Sequence, residues 1–379
     1  MPQTKLPDYH FPDRSGPKEL GTPFKRIVTV QMVPPNAGTH EVEDEYAELC
    51  RLVETLDGRV VGRMVQRRMN PHKKYFIGPG KADEVGALCD DRSADTVVVD
   101  GELTPDQVNQ LEYETGSHVM DRTEMILEIF ARRAKTAEAK LQVELAYLDY
   151  IHPKMSQKQA QPRAYRGGIR GFGESALDKK IRAGRARAVQ LRKKIDRLAQ
   201  QKESRLRNRG DSWTAALIGY TNAGKSTLLN SLSGEHIYAD DRLFATLDTT
   251  TRRVHLGEDH YALLSDTVGF IRRLPHQLVA SFRSTLSEAL SAKLLLHIAD
   301  ASSPTLSNQM KAVESTLRDL QCNHNRILTV FNKIDQADPA VLEELQSTYR
   351  KSVFISAKTG QGLSELKAAL KDHFLYGSA

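Results

Sequence analysis

No apolar run in this 379-residue chain approaches the ~18 residues that a membrane span requires, so nothing in it is expected to cross a bilayer. The start, Met1 to Phe11, mixes Lys5 with Asp8 and lacks the apolar core of a signal peptide; a cytoplasmic location is expected. Cysteine is scarce. Cys50, Cys89 and Cys322 are odd in number and widely spaced, which argues against a disulfide framework or a zinc site. Met1 to Lys25 lacks periodicity and is rich in proline and charge, so it reads as a tail without fixed structure.

Acidic residues run short from Ile151 to Gly210, where 18 Lys plus Arg face 4 Asp plus Glu. The local excess of +14 exceeds the net charge of +6, leaving the remainder at −8. Such a run can be no more than a solvated face. Its concentration points further, to a polyanionic partner, most simply nucleic acid.

What the chain does contain is an apolar run, Thr214 to Ile218, then Gly219-Tyr220-Thr221-Asn222-Ala223-Gly224-Lys225-Ser226, then Thr227-Leu228-Leu229-Asn230-Ser231-Leu232. That order is strand, glycine-rich loop, helix. It suits phosphate because the loop N–H groups converge on the oxygens, the helix N-terminus adds its positive dipole end, and side chains would block the approach. Lys225 would reach the β- and γ-phosphates, Ser226 would ligate Mg²⁺, and Thr227 completes the stretch.

Four later segments fall in the order that a guanine-nucleotide domain needs: Thr246, Asp266 to Gly269, Asn332 to Asp335, and Ser356 to Lys358. Asp266 would hold Mg²⁺ through water, and the Gly269 N–H would approach the γ-phosphate. Thr246 would complete the metal shell, in competition with Thr249, Thr250 and Thr251. Asp335 can accept from guanine N1–H and the exocyclic amine, a pair that adenine does not offer. Asn332 would reach the base edge, Lys333 would lay its stem over the ring, and Ser356-Ala357-Lys358 would give an N–H to the guanine oxygen. GTP is expected over ATP. Phe270 stands where many GTPases place a glutamine that orients the attacking water, so slow hydrolysis by the free protein is expected. Six strand-like runs between Asp211 and Ala379 alternate with helical patterns, which predicts a doubly wound sheet with ligand at the carboxyl ends of its strands.

Upstream, residues 26–121 alternate strand and helix as a small α/β domain. Within it, Ile77-Gly78-Pro79-Gly80-Lys81 reads mainly as a turn, because Pro79 removes a donor that a phosphate loop would use. From Asp121 the pattern becomes long helix. Leu127, Phe130, Ala134, Ala137, Leu141, Leu145 and Leu148 form one stripe; Leu177, Ile181, Gly184, Ala188, Leu191, Ile195 and Leu198 form a second. Two paired helices over 122–210 are expected, with residues 152–175 as the loop at their tip. That loop carries Lys154, Lys158, Arg163, Tyr165, Arg166, Arg170 and Phe172 among glycines, a composition that suits RNA.

The chain resembles the HflX family of ribosome-associated GTPases over nearly its whole length from about Arg26. Beyond the nucleotide motifs, the resemblance rests on Tyr75 to Lys81, on Asp121-Arg122-Thr123 through Ile129 to Ala134, and on Lys140 to Ala146. It implies a P-loop GTPase domain preceded by a small α/β domain and a long antiparallel helical hairpin. It also implies entry of the hairpin loop into the large ribosomal subunit, GTP-dependent separation of stalled or idle ribosomes, and an ATP-linked activity of the N-terminal domain. The glycine segment Gly167 to Glu174 is shorter than is usual in relatives and has Phe172 in place of proline. Asn222 resembles the loop asparagine of potassium-activated GTPases, which implies a K⁺ ion beside it; the other reading is that it only braces the loop. Lys225, Asn222, Thr246 and Gly269 are thus the catalytic candidates, and Arg163, Arg166 and Arg170 the RNA-binding ones. The alternatives are a large-subunit assembly GTPase, a GTP-gated RNA-binding module, and an ATP-linked RNA-unwinding factor. A monomer is expected.

Overall fold

The computed structural model describes residues 24–160, 176–207, 212–234, 243–244, 246–247, 250–273, 291–319 and 327–377. Its first sheet has four parallel strands, β1 (Arg26–Val33), β2 (Arg59–Arg67), β3 (Thr96–Val99) and β4 (His118–Asp121), in the order β2-β1-β3-β4. Parallel neighbours require crossovers. These are α1 (Thr39–Thr55), α2 (Pro79–Arg92) and α3 (Pro105–Thr115). Alternation along β1 sends Ile27 to the face covered by α1, and Val28 and Val30 to the face covered by α2 and α3. Helix α3 starts on a capping box in which Gln107 N–H donates to the Thr104 hydroxyl and Thr104 N–H to the Gln107 side chain. The turn before α2 behaves as a plain helix start, since its Gly78 N–H is already donated to Gln66 Oε1 at 2.8 Å.

The long helix expected from Asp121 is broken. Helix α4 (Arg122–Arg133) ends at Ala134, and α5 (Ala137–Ala160) restarts after Thr136, whose hydroxyl accepts from Ala139 N–H at 3.1 Å. Leu127 and Phe130 therefore pack with α1, while Leu141, Leu145 and Leu148 pack against Ala188, Leu191, Ile195 and Leu198 of α6 (Ala176–Arg207). The hairpin consists of α5 and α6 alone. A second correction concerns its tip: residues 152–160, expected in a loop, continue α5 through Pro153. One turn is pinned there because Lys154 Nζ donates to the buried Asp121 carboxylate at 2.8 Å and also to Tyr150 Oη. Lys154 is thus a structural cation rather than one offered to RNA. Arg163, Tyr165, Arg166, Arg170 and Phe172 lie outside the described residues.

The second sheet contains β5 (Trp213–Gly219), β6 (Thr250–Gly257), β7 (His260–Asp266), β8 (Leu294–Asp300), β9 (Ile327–Asn332) and β10 (Val353–Phe354), in the order β10-β9-β8-β5-β7-β6. Only β6 is antiparallel to its neighbour. Helices α7 (Lys225–Ser233), α8 (Leu306–Asp319), α9 (Pro339–Thr348) and α10 (Leu363–Tyr376) connect or close it. The chain reverses direction across the sheet between β5 and β8, and the loop between β5 and α7 sits at that switch point. No helix among the described residues is long and apolar enough to cross a membrane.

Candidate functional site

The segment from Gly219 to Lys225 links the carboxyl end of β5 to the first turn of α7. Lys225 is buried with its ammonium group donating to the Gly219 and Tyr220 carbonyls at 3.1 and 2.8 Å. Burial pulls its pKa down to about 8, against the opposing pull of the Asp266 carboxylate. The sign of the consequence differs for stability and for binding. Between pH ~8 and ~10.5 the unfolded chain holds a proton that the folded chain has lost, so nucleotide-free protein gains stability as pH rises through that window. An anion needs the proton. Calorimetric titration with GDP should show affinity level up to pH ~7.5 and falling above ~8, by up to about tenfold per pH unit, with proton uptake on binding.

Ser226 Oγ donates to Asp266 Oδ2 at 2.6 Å and lies 2.8 Å from Thr246 Oγ1, so three of the expected side chains converge. Burial raises the pKa of Asp266 despite Lys225, Ser226 and Thr246, and its Oδ1 is buried without a partner. An orphaned carboxylate oxygen beside two hydroxyls suits a hard, oxygen-seeking cation. Among the described residues no three His, Cys, Asp or Glu side chains form a protein cage, so such an ion would complete its shell from phosphate and water. Of the competing threonines, Thr251 is engaged with Ser265 at 2.8 Å, Thr250 opens β6 opposite Asp266, and Thr249 lies outside the described residues.

Gly269 stands against the loop. A Cβ there would come within 2.7 Å of Thr221 Cγ2 and 3.2 Å of Lys225 Nζ, so only glycine fits. The next residue, Phe270, is 2% exposed and bonded to the loop in both directions: Thr221 N–H donates to its carbonyl at 2.7 Å and its own N–H donates to Gly219 O at 3.0 Å. Asn222 holds the loop tip in the left-handed region, at φ 62°.

On the base side Asn332 has a bracing part that its sequence position did not announce. Asn332 does not face outward: its Nδ2 donates to Ala223 O and its Oδ1 accepts from Ala357 N–H, both at 2.9 Å. Asn332 thus ties the phosphate loop to Ser356-Ala357-Lys358 with its oxygen and one amide N–H, which leaves its second amide N–H for a base edge. A Cβ at Gly224 would meet its Nδ2 at 2.3 Å, which is why the loop needs glycine there. Ser231 Oγ adds a second tie to Ala357 O at 2.6 Å, one turn beyond Thr227. Lys333, at φ 64°, pairs with Asp300 at 2.7 Å. Asp335 is exposed, and the Ser356 hydroxyl holds its carboxyl below the usual range. The Ser356 N–H donates to Gln361 O and the Ala357 N–H to Asn332, leaving the Lys358 N–H as the donor of that segment still to be used.

Sequence reasoning missed what lies behind the loop. The Tyr220 side chain turns away from the phosphate side and donates to Glu48 Oε2 of α1, while its Oη accepts from Arg272 N–H at 2.9 Å. Glu48 Oε1 and Asp100 Oδ1 both accept from Arg122, which also donates to Arg272 O at 3.1 Å. These side chains are 4–6% exposed. Arg122 keeps its charge because the Asp100 and Glu48 carboxylates outweigh the desolvation that would lower its pKa. Farther along, Phe130 of α4 meets Phe244 edge to face at 4.6 Å, two residues before Thr246. The N-terminal domain thus grips both segments that flank Ser226 and Asp266. The one sequence signal was Arg122 itself, inside the stretch Asp121 to Thr123 that carried the family resemblance.

Three family models match in chain order: one described as GTP-binding GTPase N-terminal over residues 43–131, one as GTP-binding GTPase Middle Region over 133–209, and one as 50S ribosome-binding GTPase over 214–333. The chain is 39% identical to the GTPase HflX of Caldanaerobacter subterraneus subsp. tengcongensis, across 93% of this chain and 82% of that protein. It is 43% identical to that of Lacrimispora saccharolytica, across 84% and 76%. Identity to that of Escherichia coli is 41%, across 87% and 79%. Among solved structures, a GDP complex of the protein called SsGBP shares the fold with a TM-score of 0.52 at 24% identity, covering 92% of this chain and 98% of that one.

Proposed function

The chain belongs to the HflX family of GTPases, and from that premise we propose that it binds the large ribosomal subunit and its RNA and, in the GTP state, drives stalled or idle ribosomes apart into subunits. It is a GTP-hydrolysing enzyme of the P-loop class. In this reading Gly219 to Thr227 cradle the phosphates, Asp335 and the Lys358 N–H select guanine, and Arg163, Arg166 and Arg170 meet ribosomal RNA in the cytoplasm. Ser226, Thr246 and Asp266 would hold Mg²⁺, which when bound neutralises charge on the β- and γ-phosphate oxygens. A K⁺ ion beside Asn222 is part of the same proposal; turnover compared in potassium and sodium salts at one ionic strength tests it.

One observation carries the reading. The N-terminal domain touches the segment before Thr246 through Phe130 and the segment after Gly269 through Arg122, while Tyr220 joins it to the phosphate loop itself. A γ-phosphate that shifts either segment must therefore work against the part of the molecule that bears the hairpin. Pelleting with large subunits tests the partner: co-sedimentation should be strong with a non-hydrolysable GTP analogue and weak with GDP, and equal recovery in both would contradict it. The base-side assignment has its own test. Asp335→Asn exchanges an acceptor for a donor, so competition binding should show preference moving from guanine to xanthine nucleotides; unchanged preference would refute it.

A further inference from the structure

We propose that the Thr221 hydroxyl takes the place of the missing glutamine, accepting a hydrogen bond from the attacking water and donating one to a γ-phosphate oxygen. Thr221 is 6% exposed and its Oγ1 is buried with no hydrogen-bond partner. A buried hydroxyl left unpaired is unfavourable and calls for a group that completes it. The surroundings identify that group. The point 2.7 Å from Thr221 Cγ2 is also 2.9 Å from Thr221 Cα and 3.2 Å from Lys225 Nζ, and it is where a side chain on Gly269 would begin. The Thr221 side chain thus packs directly against Gly269 and lies beside the lysine expected to reach the terminal phosphates.

Other candidates nearby are spoken for. Phe270 stands in the glutamine position but is buried, with its backbone bonded to both Gly219 and Thr221. Ser226 and Thr246 face each other and Asp266, and the Thr267 hydroxyl donates to Leu217 O at 2.7 Å. The Thr221 methyl faces Gly269, and a change of χ1 rotamer exchanges it for the hydroxyl without moving the loop. In the step so assisted, the water oxygen bonds to the γ-phosphorus, the bond from that phosphorus to the bridging oxygen breaks, and GDP leaves. The water proton ends on the released phosphate; Thr221 is unchanged.

The inference rests on the nucleotide-site reading above, so nucleotide affinity is measured beside turnover. Thr221→Val keeps the shape and removes only the hydroxyl; Thr221→Ser keeps the hydroxyl. In single-turnover hydrolysis with the full chain, Val should lower the rate by about 10²-fold, the range seen for removal of one transition-state donor. GDP affinity should stay within about twofold, because the ground-state interactions are untouched. Thermal stability should hold or rise, since an unpaired hydroxyl has gone. Ser should stay within about threefold of the parent rate, restoring the hydrogen bonds. A Val variant at the parental rate overturns the proposal, as does a Ser variant as slow as Val or a loss confined to KM. Loss of GDP binding in both variants would also overturn it, since the hydroxyl would then act in the ground state, whereas failure of the parent chain itself to bind GDP would count against the nucleotide-site reading.

Discussion

Replacing Arg122 by alanine should destabilise the N-terminal domain by about 3–5 kcal/mol, because it leaves the Glu48 and Asp100 carboxylates buried without their common cation. The loss exceeds that of a surface ion pair such as Arg273 with Glu45, whose arginine is 57% exposed and whose contribution is ~0–1 kcal/mol. Tyr220 Oη would still accept from Arg272 N–H, but Arg272 O would lose its donor. The chain contains a reporter of where the damage lies. Its single tryptophan, Trp213, is stacked between His260 and Phe374 in the nucleotide domain. In urea, the transition seen by far-ultraviolet circular dichroism should move to lower denaturant more than the one seen by Trp213 fluorescence. Arg122→Met combined with Glu48→Gln and Asp100→Asn should recover much of the loss, since no unpaired buried charge remains. Superimposable parental and Arg122→Ala curves would show that the cluster contributes nothing to stability.

Changing Arg163, Arg166 and Arg170 together to glutamine should weaken binding to the large subunit and flatten its salt dependence at the same time. Every arginine–phosphate pair removed should reduce the slope of log affinity against log salt by about 0.7–0.9, hence by about two or more for all three arginines. Tyr165 and Phe172, stacking on bases, would retain about 1–3 kcal/mol each, largely insensitive to salt. GTP affinity should be nearly unchanged, since these arginines are remote in sequence from Lys225 and Asp335. The structure narrows the choice of cation by withdrawing Lys154, which is bound to Asp121 and Tyr150. An unaltered slope in the triple variant would pass the role to the basic helix α6.

Most of the strand positions were legible because parallel strands are written as short apolar runs, and Thr96 to Val99 or Ile327 to Phe331 admit few other readings. The phosphate loop was legible because backbone geometry forces its glycines. The break before α5 was not. Leu127, Phe130 and Ala134 keep the same three-four spacing as Leu141 and Leu145, and a single capping threonine, Thr136, redirects the chain. Periodicity records which residues are apolar, not which partner they meet. Asn332 shows the same limit at the site: an amide at that position suits a base edge, and its use as a brace becomes visible only with the positions of Ala223 and Ala357. Tyr220 is further beyond reach, for its partner Glu48 lies 172 residues away and on a different sheet's helix.

In the proposed function, GTP gripped by a loop that the N-terminal domain also holds is converted into separation of ribosomal subunits. Its most direct test mixes the full chain with intact ribosomes and resolves the products on a density gradient in the presence of GTP, a non-hydrolysable analogue, or GDP. Free small and large subunits are expected with GTP and with the analogue, and intact ribosomes with GDP. Intact ribosomes under all three conditions, with the protein bound to them or only to immature large subunits, would contradict it.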